Sequence, residues 1–137
     1  MTKRRILAVD DEPLITRIVQ VNLERVGYEV ASAPNGIEAL ATLRGGEPLP
    51  DLILLDVNMP YMDGFETLRE IKADANLKDI PIIIMTARSR NTDILHVQQY
   101  GVPHYIIKPI NPEALITLVN DVLGNTTEAS SLEGDEE

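Results

Sequence analysis

A chain of 137 residues with 44% apolar and 25% charged side chains is long enough for one domain to bury a core without cross-links. It has no cysteine, which excludes disulfides, thiolate nucleophiles and cysteine-ligated metals, and His96 and His104 alone are too few for a structural zinc site. The net charge of −10, from 22 acids against 12 bases, is the opposite of what a phosphate-backbone binder needs, so direct nucleic-acid binding is not expected.

The charge is uneven. Residues Gly124 to Glu137 carry five acids and no base, leaving 17 acids and 12 bases in the first 123 residues. No apolar run approaches the roughly 18 residues of a membrane span. The basic start, Lys3-Arg4-Arg5, leads into an apolar run that is too short for a signal peptide and ends on acids. A cytoplasmic location is expected.

In chain order, Arg5 to Val9 reads as a short buried strand and runs straight into Asp10-Asp11-Glu12. Pro13 suits the first position of a helix, where its missing N–H costs nothing. Ile15, Ile18, Val19, Asn22 and Val26 then recur at helical spacing, and Gly27 closes the helix. Tyr28 to Ala33 alternates as a second strand. Pro34-Asn35-Gly36 is a turn, and Ile37, Leu40 and Leu43 mark a short helix that stops at Gly45-Gly46.

Asp51 to Leu55 is an unbroken apolar strand after its first residue, and it delivers Asp56 at its end. Pro60 and Asp63-Gly64 are breakers, and a third helix runs from near Phe65 through Leu68 and Ile71. Ile82 to Met85 is the fourth strand, leading into Thr86-Ala87-Arg88. Asn91 to Tyr100 is a helix with few aliphatic positions (Ile94, Leu95 and Val97), stopped by Gly101. His104 to Ile107 is the fifth strand and ends at Lys108-Pro109. Asn111-Pro112-Glu113 is an N-cap with proline at the first helical position, and Leu115, Leu118, Val119, Val122 and Leu123 line one face of the last helix.

Five repeats of strand then helix predict an α/β fold: a doubly wound five-stranded parallel sheet with helices on both faces. Right-handed crossovers favour the strand order 2-1-3-4-5. Residues 1–123 form the expected domain. Residues 124–137 show no apolar period, cannot offset ordering entropy, and are expected to be a disordered acidic tail.

Chemistry gathers at the strand ends. Asp10-Asp11, Asp56, Thr86 and Lys108 all fall at the C-terminal edge, where open α/β sheets bind ligands. Neighbouring strands are about 4.8 Å apart, so these groups are within side-chain reach of one another. Gathered carboxylates repel, and a cation relieves them. Oxygen donors with room for water suit Mg²⁺. Lys108 offers a mobile positive charge for a phosphoryl group and Thr86 a hydroxyl donor. Asp56 is then a carboxylate nucleophile of the kind that forms aspartyl phosphates.

At these residues the chain resembles the receiver domain of a bacterial two-component response regulator, of the single-domain chemotaxis-regulator type. The resemblance rests on Asp10-Asp11, the Asp56-Val57-Asn58-Met59-Pro60 run with Asp63-Gly64, Thr86-Ala87 and Lys108-Pro109, and covers about residues 4 to 123. It implies a flavodoxin-like fold and a phosphoacceptor at Asp56, served by a histidine kinase or a histidine phosphotransfer protein. Asp11, Asp56 and the Asn58 carbonyl would hold Mg²⁺, with Asp10 assisting through water. Lys108 and Thr86 would read the phosphoryl oxygens, and Tyr105 would be the switch aromatic. A cis Lys108-Pro109 bond is implied as well. The output would go to a downstream protein partner, from a monomer or weak dimer.

One segment departs from the family pattern. Before Tyr105, where Gly-Ala and then small or acidic residues are usual, the chain reads Gly101-Val102-Pro103-His104. Two other readings compete. A phosphohydrolase with an aspartyl-phosphate intermediate places a general acid two residues after the nucleophile, but Asn58 stands there. A non-catalytic binding module has no need of the intact acids, Thr86 and Lys108. His96 and His104 read as surface residues, Met59 and Met62 as packing or partner contacts, and Gly45-Gly46 as a helix stop that lacks the lysine of a phosphate loop.

Overall fold

Apolar side chains on both sides of a pleated strand need cover on both faces, and the central strands are built that way. The computed structural model describes residues 3–46, 48–57, 64–86, 99 and 101–124. Within it, β1 (Arg5–Val9), β2 (Glu29–Ala33), β3 (Leu52–Asp56), β4 (Ile82–Thr86) and β5 (His104–Ile107) form one parallel sheet in the order β2-β1-β3-β4-β5. This is the flavodoxin-like arrangement expected.

The helices are α1 (Pro13–Arg25), α2 (Gly36–Arg44), α3 (Gly64–Ala73) and α4 (Pro112–Leu123). The helix expected over residues 91–100 lies outside the described residues except at residue 99, and Asn58, Met59, Met62, His96 and residues 125–137 lie outside them as well.

Alternation along each strand divides the core in two. Ile6, Ala8, Leu52, Leu54, Ile83, Met85 and Ile106 face α1 and α4, meeting Val19, Leu23, Leu115, Val119 and Leu123. Leu7, Val9, Ile53, Leu55, Ile82 and Ile84 face the other way, toward Leu40 and Leu43 of α2 and Leu68 and Ile71 of α3. Each fully buried Leu or Ile stabilises the fold by about 1.5–3 kcal/mol relative to leaving it in water. The polar edge sits on this rigid floor.

The ends of the helices follow from local chemistry. Pro13 opens α1 behind Glu12, whose side chain makes no capping bond. Asn35 caps α2 by accepting from the Glu38 N–H at 2.8 Å, and Asn111 caps α4 by accepting from the Ala114 N–H at 3.0 Å. Gly124 ends α4 in the left-handed region, with φ 74°.

Some helical positions differ from the spacing argument. Val26 is not on the buried stripe of α1; it is the C-cap and is exposed, while Leu23 fills the core position. Ile37, in the first turn of α2, is also exposed. Both stand at helix ends, where the apolar spacing continues but burial does not.

Pro103 immediately precedes β5, which pairs only with β4 among the described strands. An edge strand tolerates a missing N–H at its start. Val102 is buried in the core on the α2–α3 side, so the unusual Val-Pro entry into β5 is anchored by packing.

Candidate functional site at the strand ends

The site is a consequence of register. Val9 pairs with Leu55, so Asp10 and Asp56, each one residue further on, lie side by side at the ends of β1 and β3. Thr86 pairs with Ile107, which puts Lys108 just past the end of β5. Its backbone N–H donates to the Thr86 carbonyl at 2.7 Å, and the Lys108–Pro109 peptide is cis.

Side-chain direction follows the pleat. Asp56 continues the Leu52–Leu54 phase and Lys108 the Ile106 phase, so both point toward the α1–α4 side. Thr86 continues the opposite phase, that of Ile82 and Ile84, and Tyr105 shares it. The sequence places Thr86 among the acids, and the sheet places it at the same edge but on the other face, next to the strand that carries Tyr105. Tyr105 is 40% exposed.

Asp10 and Asp56 are buried and Asp11 is exposed. One carboxylate oxygen from each of the three lies within 4.8 Å of the others. Lys108 reaches in as their counter-charge. Its Nζ is 2.8 Å from Asp10 Oδ2, 3.3 Å from Asp56 Oδ2 and 2.9 Å from Glu12 Oε1. The Asp10 contact is ionic rather than an aligned hydrogen bond. Asp10 Oδ1 accepts from the Glu12 backbone N–H at 2.9 Å, which fixes the turn into α1.

Burial works against the charge on Lys108. The close contacts with Asp10 and Glu12, with the fields of Asp56 and Asp10, outweigh it, and the ammonium is held above the ordinary lysine range. Three carboxylates still face one ammonium, and Asp11, exposed beside Asp10 and Asp56, adds to the excess negative charge.

The donors fit a hard divalent cation. They are carboxylate oxygens at close range, one of them, Asp10 Oδ2, buried without an aligned donor, and an exposed side leaves room for water.

Two residues matter here that sequence reasoning did not assign. Glu12 was only the third acid of a run, and nothing in its spacing signals a contact with Lys108, 96 positions away. Gly64, in the sequence, is one half of an Asp-Gly breaker. A Cβ on Gly64 would lie 2.3 Å from both the Asp56 carbonyl oxygen and the Val57 Cα, so the first turn of α3 rests directly on the Asp56 backbone. The Asp-Gly pair hinted at a turn but not at this close approach.

Comparison with known proteins agrees with this geometry. Residues 6–120 match the model of the response regulator receiver domain. A probable transcriptional regulator ycf27 of Porphyridium aerugineum is 37% identical over 131 residues, 96% of this chain and 52% of that protein. The chain thus spans about half the length of such curated relatives. The chemotaxis protein CheY4 of Vibrio cholerae superposes with a TM-score of 0.81 at 34% identity, covering 88% of this chain and 99% of that one. The Mn²⁺-bound form of response regulator Rcp1 gives a TM-score of 0.77 at 31% identity, covering 96% and 99%. With its sheet order, its acid cluster and these matches, the chain belongs to the response regulator receiver domain family of two-component signalling.

Proposed function

We propose that the protein is a phosphoacceptor switch in which Asp56 takes a phosphoryl group from a phosphohistidine donor. The observation that carries this reading is the placement of Asp56: 1% exposed, at the end of the central strand, with the Lys108 ammonium 3.3 Å from its Oδ2. An Asp56 oxygen forms the new P–O bond. The P–N bond to the donor imidazole breaks, and its electron pair returns to nitrogen.

Asp11, Asp56 and the Asn58 carbonyl are the proposed ligands of Mg²⁺, with Asp10 acting through water. When bound, the ion would neutralise the carboxylates and the phosphoryl oxygens. Lys108 already lies beside Asp56 and can exchange a carboxylate for a phosphoryl oxygen without leaving the site. Thr86 is proposed to donate its hydroxyl to a second phosphoryl oxygen. Its movement would make room for Tyr105, which shares its face of the sheet.

Receiver domains work with histidine kinases and downstream effectors, and are generally switches rather than catalysts. A histidine kinase or histidine phosphotransfer protein is therefore the proposed donor, and a protein partner the proposed recipient of the signal. The phosphoacceptor unit is proposed to end with Leu123, the last residue of α4, which is buried against the sheet. Residues 124–137 would then be dispensable for phosphate uptake.

Incubation with acetyl phosphate and Mg²⁺ tests the reading by intact mass. One added phosphate is expected on the wild type and on a chain ending at Gly124, and none on Asp56→Asn. Equal labelling of the Asp56→Asn variant would overturn the assignment.

A further inference from the structure

The Lys108 ammonium has three N–H donors, and three carboxylates surround it. Asp10 and Asp56 approach from inside, with side chains 0% and 2% exposed. Glu12 approaches from solvent, 58% exposed, and accepts at 2.9 Å. It differs from the other two in standing outside the carboxylate cluster suited to a cation. It also does little for its own helix. Its backbone carries the N-cap, accepting from the Thr16 N–H at 3.1 Å, while its side chain makes no capping bond.

Resting on the phosphoacceptor reading, we infer that Glu12 is a positioning residue that competes with the phosphoryl group for Lys108. An incoming phosphoryl oxygen needs one donor of the ammonium. Asp56 and Asp10 can surrender theirs because a cation takes over their charge. Glu12 has no such substitute and keeps its hold, drawing Lys108 toward solvent and adding negative charge at the mouth of the site. A phosphoryl oxygen on Asp56 therefore has to hold Lys108 against the pull of Glu12, and Glu12 sets how readily the site accepts an anion. The spacing is specific: the longer glutamate side chain bridges from the start of α1 to the segment after β5, and an aspartate lacks one methylene of that reach.

The test is an equilibrium titration with beryllofluoride, a phosphoryl mimic, at saturating Mg²⁺, followed by NMR. Glu12→Gln removes the charge, and Glu12→Asp keeps it but shortens the arm. Both are expected to lower the half-saturating beryllofluoride concentration about two- to fivefold, the scale of one exposed ion pair. A purely structural or bulk-charge role would leave Glu12→Asp at the wild-type value, and that result overturns the inference. So does an unchanged value for both variants. A wild type that binds no beryllofluoride at Asp56 refutes the phosphoacceptor reading, and this inference falls with it. Wild-type binding with unmoved variants removes the role of Glu12 alone.

Discussion

Replacing Asp11 by Asn tests the electrostatics of the site against the proposed metal binding in one experiment. Its carboxylate lies within 4.8 Å of those of Asp10 and Asp56. At that separation two unit charges repel by about 0.9 kcal/mol in water and about 3.5 kcal/mol at an effective dielectric of about 20. Asp11 is exposed, so the lower figure governs, and its two neighbours give about 2 kcal/mol of repulsion. Lys108 draws on Asp10 and Asp56 and trims this to roughly 1 kcal/mol. Asp11→Asn should therefore be more stable than the wild type by about that amount in urea titrations with EDTA.

Mg²⁺ should reverse the order. At 100 times its dissociation constant, a ligand that binds only the folded state adds about 2.7 kcal/mol. The wild type should gain this, while the variant, short of one of the proposed ligands, gains far less. The two stabilities should cross as Mg²⁺ is raised. An Asp11→Asn protein less stable than wild type in EDTA would refute the repulsion argument. Parallel gains with Mg²⁺ would refute the place of Asp11 in the cation site.

Two further outcomes follow from the same geometry. Gly64→Ala forces a methyl to 2.3 Å from the Asp56 carbonyl oxygen. It should cost about 1–3 kcal/mol in urea unfolding and slow phosphate uptake from acetyl phosphate, because the Asp56 backbone must shift; wild-type values for both would show that α3 yields instead. Lys108 has its folded value raised above the ordinary 10.5, so its contribution is complete below that pH and is lost only as pH climbs through the folded value. The stability gap between wild type and Lys108→Met in EDTA should therefore stay level from roughly pH 6 to 9 and narrow above about 10.5; a gap that closes at neutral pH would contradict it.

The sequence by itself determined the fold and the edge of the sheet that carries the polar groups. Unbroken apolar runs such as Leu52–Leu55 can be buried only between two layers, and each run ends at a polar residue because the strand ends there. Asp10, Asp56 and Lys108 were legible for that reason. Tertiary structure alone decided how they meet. The Glu12–Lys108 pair joins residues 96 apart, the Tyr28 hydroxyl donates to Asn120 Oδ1 across 92, and Gly64 presses on Asp56. Such contacts depend on strand register and on which pleat phase faces which helix, and no local propensity encodes these. The same holds for Thr86: its position in the chain sets it at the active edge, while the alternation of β4 sets it on the Tyr105 face. Val26 and Ile37 err in the other direction, since periodicity counts a helix face without knowing which of its end positions are covered.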